Sequence, residues 1–263
     1  MNATAGSEAS GSSEAGASVA SRLFAVLDTL TSAPLARSLS LTEIATRAGL
    51  PLSTTHRMVA EWVEWGGLVR LEDGRYGLGL RLWEVGVQAP TARNLRTIAL
   101  PYLEDLYEST HEHVHLAILE GHDALYVEKL SGHHAVEVIS RVGGRLPLHA
   151  TGVGLVLLAF APAELLDSYL AAPLTKFTSS TMTQPEALRR RLAEIRATGL
   201  ARMSEEMTPG SSSIAAPILD RTGQIVAAAS VVTRTTSSVN PEHEAAVRQA
   251  ARGISRSLGY RRA

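Results

Sequence analysis

Four polar side chains, Ser53, Thr54, His56 and Arg57, stand at the start of a helical pattern in the run LSTTHRMVAEWVEW. The free amides at a helix N-terminus bind phosphate well. Hydroxyl, imidazole and guanidinium groups can also hydrogen-bond to the edges of bases in the major groove of DNA. This pattern therefore predicts a helix that contacts DNA.

The histidines of the second half suggest a different chemistry. His111, His113 and His115 alternate in HEHVH, and alternation along a strand would place all three imidazoles on one side. Such a group could hold zinc, although histidines on a solvated strand edge give the same pattern. Glu205 and Glu206 are adjacent and would point apart in an extended segment, unlike a pair that shares a proton. We predict no catalytic residue, no metal ligand and no cofactor, and keep a metal-binding regulator or metal-dependent enzyme as the alternative.

The elements around the polar run form a compact module. Residues 1–17, rich in Ser, Ala and Gly, should be a disordered tail. From Ser18 a first amphipathic helix is predicted, with Pro34 after its end, followed by a second helix in SLTEIATRAGL that Ser40 or Thr42 can cap. The third helix, with Ser53 as its expected cap, carries an apolar stripe of Met58, Val59, Trp62 and Val63, continued by Trp65.

A hairpin follows the third helix, because two β-prone runs flank Asp73-Gly74. The order of helix, helix, turn, helix and hairpin is that of a winged helix-turn-helix. A simple packed subdomain remains possible, since residues 21–82 carry seven arginines and six acidic residues and form no basic patch.

Composition limits the remaining classes. The chain has 263 residues, 45% of them hydrophobic, which suits one or two domains with real cores. It contains no cysteine, so disulfides, thiolate metal sites and cysteine nucleophiles are excluded. No apolar run approaches the roughly 20 residues of a membrane-spanning helix, and the start lacks a secretory pattern. We expect a cytoplasmic protein.

The second half mixes strands and helices without regular βαβ repetition, which predicts an α+β domain with a mainly antiparallel sheet. Gly152 and Gly154 do not belong to a dinucleotide-binding motif, since Leu157 stands where its third glycine would be. The predicted helices are 98–109, 153–160, 163–171, 185–198 and 241–258, and the predicted strands are 113–120, 124–130, 135–141, 214–219 and 225–233.

Several motifs in order resemble those of the IclR family of bacterial transcription regulators. They are LTEIATRAGLPLSTTHRMV, DGRYGLGLRLWEVG, GRLPLHATGVG, SEEMTPGSSSIAAPILDRTGQIVAAASV and ISRSLG. The resemblance implies a winged helix-turn-helix domain at 18–80, a linker helix at 81–97, and a GAF-like domain at 98–263 that binds an effector and oligomerises. Pro90 interrupts the expected linker helix.

The family resemblance also implies how such a protein works. Members act as homodimers or homotetramers on palindromic double-stranded operators, usually as repressors of a catabolic or metabolic operon, and respond to a small organic acid. Two copies of Arg57, Arg70 and Arg75 would then supply phosphate contacts despite the net charge of −1.

The resemblance also implies that this chain has an effector pocket. One wall is expected at Ala150, Thr151, Gly152 and Val153, and the other at Met203, Ser211 and Ser213. Helix-start amides and small hydroxyls suit a carboxylate, although the glycines and serines could simply form turns. Met203, Ser213 and Leu155 replace an aspartate, a cysteine and a lysine found in some members, which favours a larger, partly apolar effector such as an aromatic or branched acid.

Overall fold

The computed structural model describes residues 18–31, 38–88, 90–132, 136, 138–235 and 241–261, and the side chains of 90–93 are not included. The predicted tail at 1–17 and Pro34 lie outside this part of the chain. Two compact units are present, one at 1–88 and the other at 89–263.

The first unit has the predicted order of elements, and the winged helix-turn-helix is confirmed. A core of Val26, Leu39, Ile44, Met58 and Leu68 joins its helices and hairpin. Its elements are α1 (Val19–Thr31), α2 (Leu41–Ala48), α3 (Leu52–Trp65), β1 (Leu68–Arg70), β2 (Tyr76–Leu78) and α4 (Leu80–Gly86). We call the β1–β2 hairpin the wing.

Local sequence signals set the turn between α2 and α3. Ser40 caps α2 through a capping box with Glu43, and Gly49 ends that helix in the left-handed conformation at φ 65°. The expected cap of α3 was wrong: the helix begins at Leu52 after Pro51, so Ser53 lies within its first turn. Pro51 precedes the helix with an extended backbone and offers no side-chain acceptor, so the first-turn amides of α3 have no side-chain cap.

The apolar stripe of α3 is shorter than predicted. Met58 and Val59 are buried, and Trp62 donates its indole N–H to a backbone carbonyl of α1 at 2.8 Å. Val63 and Trp65 are 37% and 45% exposed. The last turn of α3 therefore extends past the small core of this unit.

The second unit is a sheet with helices on both faces. In the described residues its strands follow the order β5-β4-β3-β8-β7-β6, and every neighbouring pair is antiparallel. This confirms the α+β prediction. The elements are α5 (Pro90–Thr110), β3 (His113–Glu120), β4 (Asp123–Leu130), β5 (Arg145–Pro147), α6 (Gly152–Ala159), α7 (Ala163–Ala171), α8 (Pro185–Thr198), β6 (Ala201–Ser204), β7 (Ser211–Leu219), β8 (Ile225–Arg234) and α9 (Pro241–Ser257).

The strand residues alternate between the two layers. On one face Leu116 and Ala229 pack with Leu103 of α5 and Ile254 of α9. On the other face the sheet packs against α6, α7 and α8, and every residue of α6 is buried. This second face holds the candidate site.

Some predicted elements differ from the structure. The strand predicted at 135–141 is wrong, since the described residues there, 136 and 138–141, form no strand. The short β5 and β6 were not predicted. The linker helix expected at 81–97 is divided, because α4 ends at Gly86 and Pro90 begins α5, where a proline at the first helical position leaves no amide hydrogen unpaired.

Candidate functional site

The polar start of α3 lies at the surface of the first unit. Ser53, His56 and Arg57 are exposed, and Thr54 is partly buried. Arg70 is exposed on β1 of the wing. A helix N-terminus and a hairpin thus present free polar groups, which suits contacts to base edges and phosphates.

Arg75 has partners within its own unit. Its guanidinium lies 2.9 Å from the carboxylate of Glu43 and donates to the Ser38 carbonyl at 3.0 Å. Hydrogen bonds from Ser40, with a smaller effect of Arg75, hold the pKa of Glu43 below its usual value. Arg75 therefore ties the wing to α2, a role that the sequence did not suggest.

The second unit gathers all seven predicted effector residues around one cavity of about 50 Å3. Apolar side chains of Leu146, Val138, Ile139 and Val232 complete the wall. Leu155 instead lies in the core beneath it and does not line the cavity. The seven residues are Ala150, Thr151, Gly152, Val153, Met203, Ser211 and Ser213.

The start of α6 supplies hydrogen-bond donors to this cavity. Thr151 caps the helix by accepting the Gly154 amide at 3.2 Å and donates its own hydroxyl to the Pro147 carbonyl. The amides of Gly152 and Val153 belong to the first turn of α6, where the N–H groups have no acceptor within the helix. A Cβ atom at position 152 would lie 2.5 Å from Oγ of Ser213. The start of α6 can therefore lie this close to β7 only because residue 152 is a glycine.

Sequence reasoning missed the floor of the cavity, formed by His115, Tyr126, Ser140 and Ser230. Burial raises the pKa of Tyr126 well above its usual value. His115 faces Ser230 across the pair β3–β8. The sequence did indicate that His115 lies on a strand, on the same side as His113. It did not indicate which residues would surround His115, because these depend on how the strands pair.

The histidine cluster is divided in the structure. His113 and His115 lie on one face of β3 with stacked rings 6.3 Å apart, while His111 precedes the strand at φ 55° and contacts Tyr107. The prediction that all three share one side was wrong, because the chain turns sharply before β3 begins. Within the described ranges, three or more ligands suited to a metal do not come together. His133 and His134 lie outside those ranges.

Glu205 and Glu206 have separate partners. Glu206 pairs with Arg191 at 2.6 Å, and its burial raises the pKa of its carboxyl above the usual value despite that arginine. Glu205, at φ 58°, accepts the Gly210 amide at 3.3 Å. Among the described hydrogen bonds, the two carboxylates have different partners and share none.

A winged helix-turn-helix and a separate unit with a small cavity together define a transcription regulator with an effector site. No helix in the described part of the chain is long and apolar enough to cross a membrane. Comparison with known proteins assigns the family.

The IclR helix-turn-helix domain matches residues 19–72, and the bacterial transcriptional regulator IclR C-terminal domain matches residues 87–256. The transcriptional repressor IclR of Escherichia coli is 32% identical over 229 residues, 84% of each chain. The regulator KipR of Bacillus subtilis is 33% identical, over 85% of this chain and 91% of its own.

Solved structures agree. The crystal structure of an IclR homologue from Microbacterium hydrocarbonoxydans, complexed with 4-hydroxybenzoate, matches with a TM-score of 0.85 and 39% identity, over 92% of this chain and 99% of the other. IclR of Thermotoga maritima matches with a TM-score of 0.73 and 31% identity, over 91% and 98% of the two chains. The chain belongs to the IclR family and is a ligand-responsive, DNA-binding transcriptional regulator.

Proposed function

We propose that the protein is a repressor of a catabolic or metabolic operon whose effector is a small aromatic or branched carboxylic acid. The supporting observation is the cavity of the second unit, which is lined by the first turn of α6, by Ser213 of β7 and by apolar side chains. The amides would hold the carboxylate, and Met203 and Val153 would contact the apolar part. The volume of the cavity is about 50 Å3, which is small for such a ligand, so its walls would open when the ligand binds.

Two further points support this effector class. Met203 places a thioether, not a carboxylate, at the cavity wall, and the two acidic residues that line the cavity have partners of their own: Glu205 accepts the Gly210 amide and Glu206 pairs with Arg191. The homologue from Microbacterium hydrocarbonoxydans, at 39% identity, was crystallised with an aromatic acid, 4-hydroxybenzoate.

For the DNA side, we propose that the start of α3 enters the major groove and that Ser53, Thr54, His56 and Arg57 contact DNA there. Arg70 would contact the backbone from the wing, while Arg75 would hold the wing in position. A homodimer or homotetramer on a palindromic operator would double these contacts and compensate for the low net charge.

The proposed mechanism is a shift between two states. Effector binding in the second unit would change the affinity of the oligomer for its operator by binding the two states unequally. The protein would act as a regulator and not as an enzyme, with domains at 18–80 and 98–263 joined by 81–97.

The test begins with selection of genomic DNA fragments by the purified protein. The enriched operator is then titrated with 4-hydroxybenzoate, isovalerate and glyoxylate. We expect one palindromic motif, lost with Arg57→Ala, and release by an aromatic or branched acid. Tight binding of glyoxylate alone would contradict the effector class, and failure to enrich any site would contradict the regulator.

A further inference from the structure

His115 is a buried polar group that lines the cavity. It lies on β3, is 3% exposed, and belongs to neither wall of the predicted carboxylate site. Its ring is stacked on His113 at 6.3 Å and meets the ring of Tyr126 edge-on at 5.2 Å. These contacts fix the plane of the imidazole.

Among the described hydrogen bonds, one ring nitrogen of His115 is used. Nε2 lies 2.8 Å from Oγ of Ser140, a residue that also lines the cavity. The backbone carbonyl of Ser140 accepts a hydrogen bond from Nζ of Lys129 at 2.8 Å. Ser140 thus holds Nε2 and is itself held by Lys129, so among the described hydrogen bonds Nδ1 is the ring nitrogen left for a ligand.

The imidazole carries no charge near neutral pH. Burial, with smaller effects of Lys129 and His113, lowers the pKa of His115 to about 3. The charged residues that line the cavity in the described part of the chain are Glu205 and Glu206, both acidic. This floor can hydrogen-bond a ligand but cannot neutralise a second anionic group.

We propose that Nδ1 of His115 hydrogen-bonds a hydroxyl group of the effector, which makes the effector a hydroxylated monocarboxylic acid. The inference rests on the proposed function, in which the start of α6 holds the carboxylate. His115 then determines specificity: it selects acids with an uncharged polar substituent over unsubstituted acids and over dicarboxylic acids.

The experiment is titration calorimetry of the full-length protein with four probes: benzoate, 3-hydroxybenzoate, 4-hydroxybenzoate and terephthalate. One hydrogen bond corresponds to roughly a tenfold difference in affinity. We expect at least one hydroxybenzoate to bind about tenfold more tightly than benzoate, and terephthalate to bind most weakly.

The variant His115→Phe keeps the ring and removes both nitrogens. We expect it to bind the preferred hydroxybenzoate and benzoate within a factor of about two of each other. The matched control is His113→Phe, on the same face of β3. Nε2 of His113 bonds to the backbone carbonyl of Val136 at 2.7 Å, and this side chain does not line the cavity. The control should keep the wild-type preference.

The outcomes separate the two hypotheses. Equal binding of benzoate and both hydroxybenzoates by the wild type overturns the role of His115 and leaves the proposed function standing. A preference that survives in His115→Phe has the same meaning. If none of the four acids binds, the proposed aromatic effector fails, and this inference with it. The wild-type comparison needs no variant, so equal binding overturns the role of His115 even if His115→Phe does not fold.

Discussion

Tyr169 on α7 and His149 are joined by a hydrogen bond of 2.7 Å between the phenol oxygen and Nδ1. The same oxygen accepts the backbone amide of His149 at 3.1 Å. Nε2 lies 2.9 Å from the Thr175 carbonyl, which can only accept, so Nε2 carries the ring proton and Tyr169 donates to Nδ1. This network holds the chain directly before Ala150, where the cavity wall begins.

Removing that phenol should therefore affect both stability and ligand binding. Tyr169→Phe leaves Nδ1 and an amide of His149 buried without a partner, and we expect the free energy of unfolding to fall by about 1–3 kcal/mol. Effector affinity should also fall, because the wall loses its anchor. Chemical denaturation and calorimetry measure the two effects.

Tyr102→Phe is the matched control. Its hydroxyl bonds to Ser257 at 2.8 Å in an exposed position, so water replaces the lost partner. We expect a smaller loss of stability and unchanged ligand affinity. Equal losses in the two variants would contradict a special role for Tyr169.

Arg57 should contribute to DNA affinity through charge. Arg57→Ala removes an exposed cation at the start of α3, and binding should weaken while the slope of log affinity against log salt falls by about one per site. Fluorescence anisotropy at several salt concentrations measures both. Arg81→Ala is a suitable control, because Arg81 already pairs with Glu84 on α4 at 3.1 Å and should leave the slope unchanged. An unchanged slope in Arg57→Ala would argue against a phosphate contact.

Gly152 should be required for the effector site. In Gly152→Ala the new methyl group would lie 2.5 Å from Oγ of Ser213, at the point where the two walls meet. We expect loss of effector binding with DNA binding retained. The same clash should lower the stability of the fold, and adding Ser213→Ala removes that oxygen and should restore part of it, as thermal denaturation would measure. Full effector binding by Gly152→Ala would place the ligand elsewhere.

The first unit was largely predictable because its signals are local. A capping box at Ser40, a left-handed Gly49 and the Asp73-Gly74 turn each act within a few residues. The tie between Arg75 and Glu43 spans 32 positions and gave no sequence signal. It depends on how the wing packs against α2.

The cavity was predicted in part, and for a similar reason. Its walls at Gly152 and Ser213 came from a family resemblance, while the floor at His115 depends on the pairing of β3 with β8. Strands such as β6, of four residues, are also too short to leave a clear period-2 pattern.

Acid should destabilise the second unit through His115. The folded state lowers the pKa of this buried imidazole to about 3, against roughly 6.5 for an exposed histidine. The unfolded chain then binds the proton more readily, so stability is complete above pH 6.5 and decreases as pH falls toward 3. Between pH 7.5 and pH 5 this shift corresponds to about 2 kcal/mol of unfolding free energy.

The comparison with His115→Phe isolates that contribution. Burial also lowers the pKa of His113 and His149, so these residues also lose stability as the pH falls. Burial raises the pKa of Glu206, which gains stability as the pH falls. All three residues are present in both proteins, so their effects cancel in the comparison. In urea denaturation at a series of pH values, the wild type should lose about 2 kcal/mol more than the variant over this range. Parallel curves would mean that His115 is protonated as easily in the folded protein as in the unfolded chain, and its role as an uncharged hydrogen-bonding group would then fail.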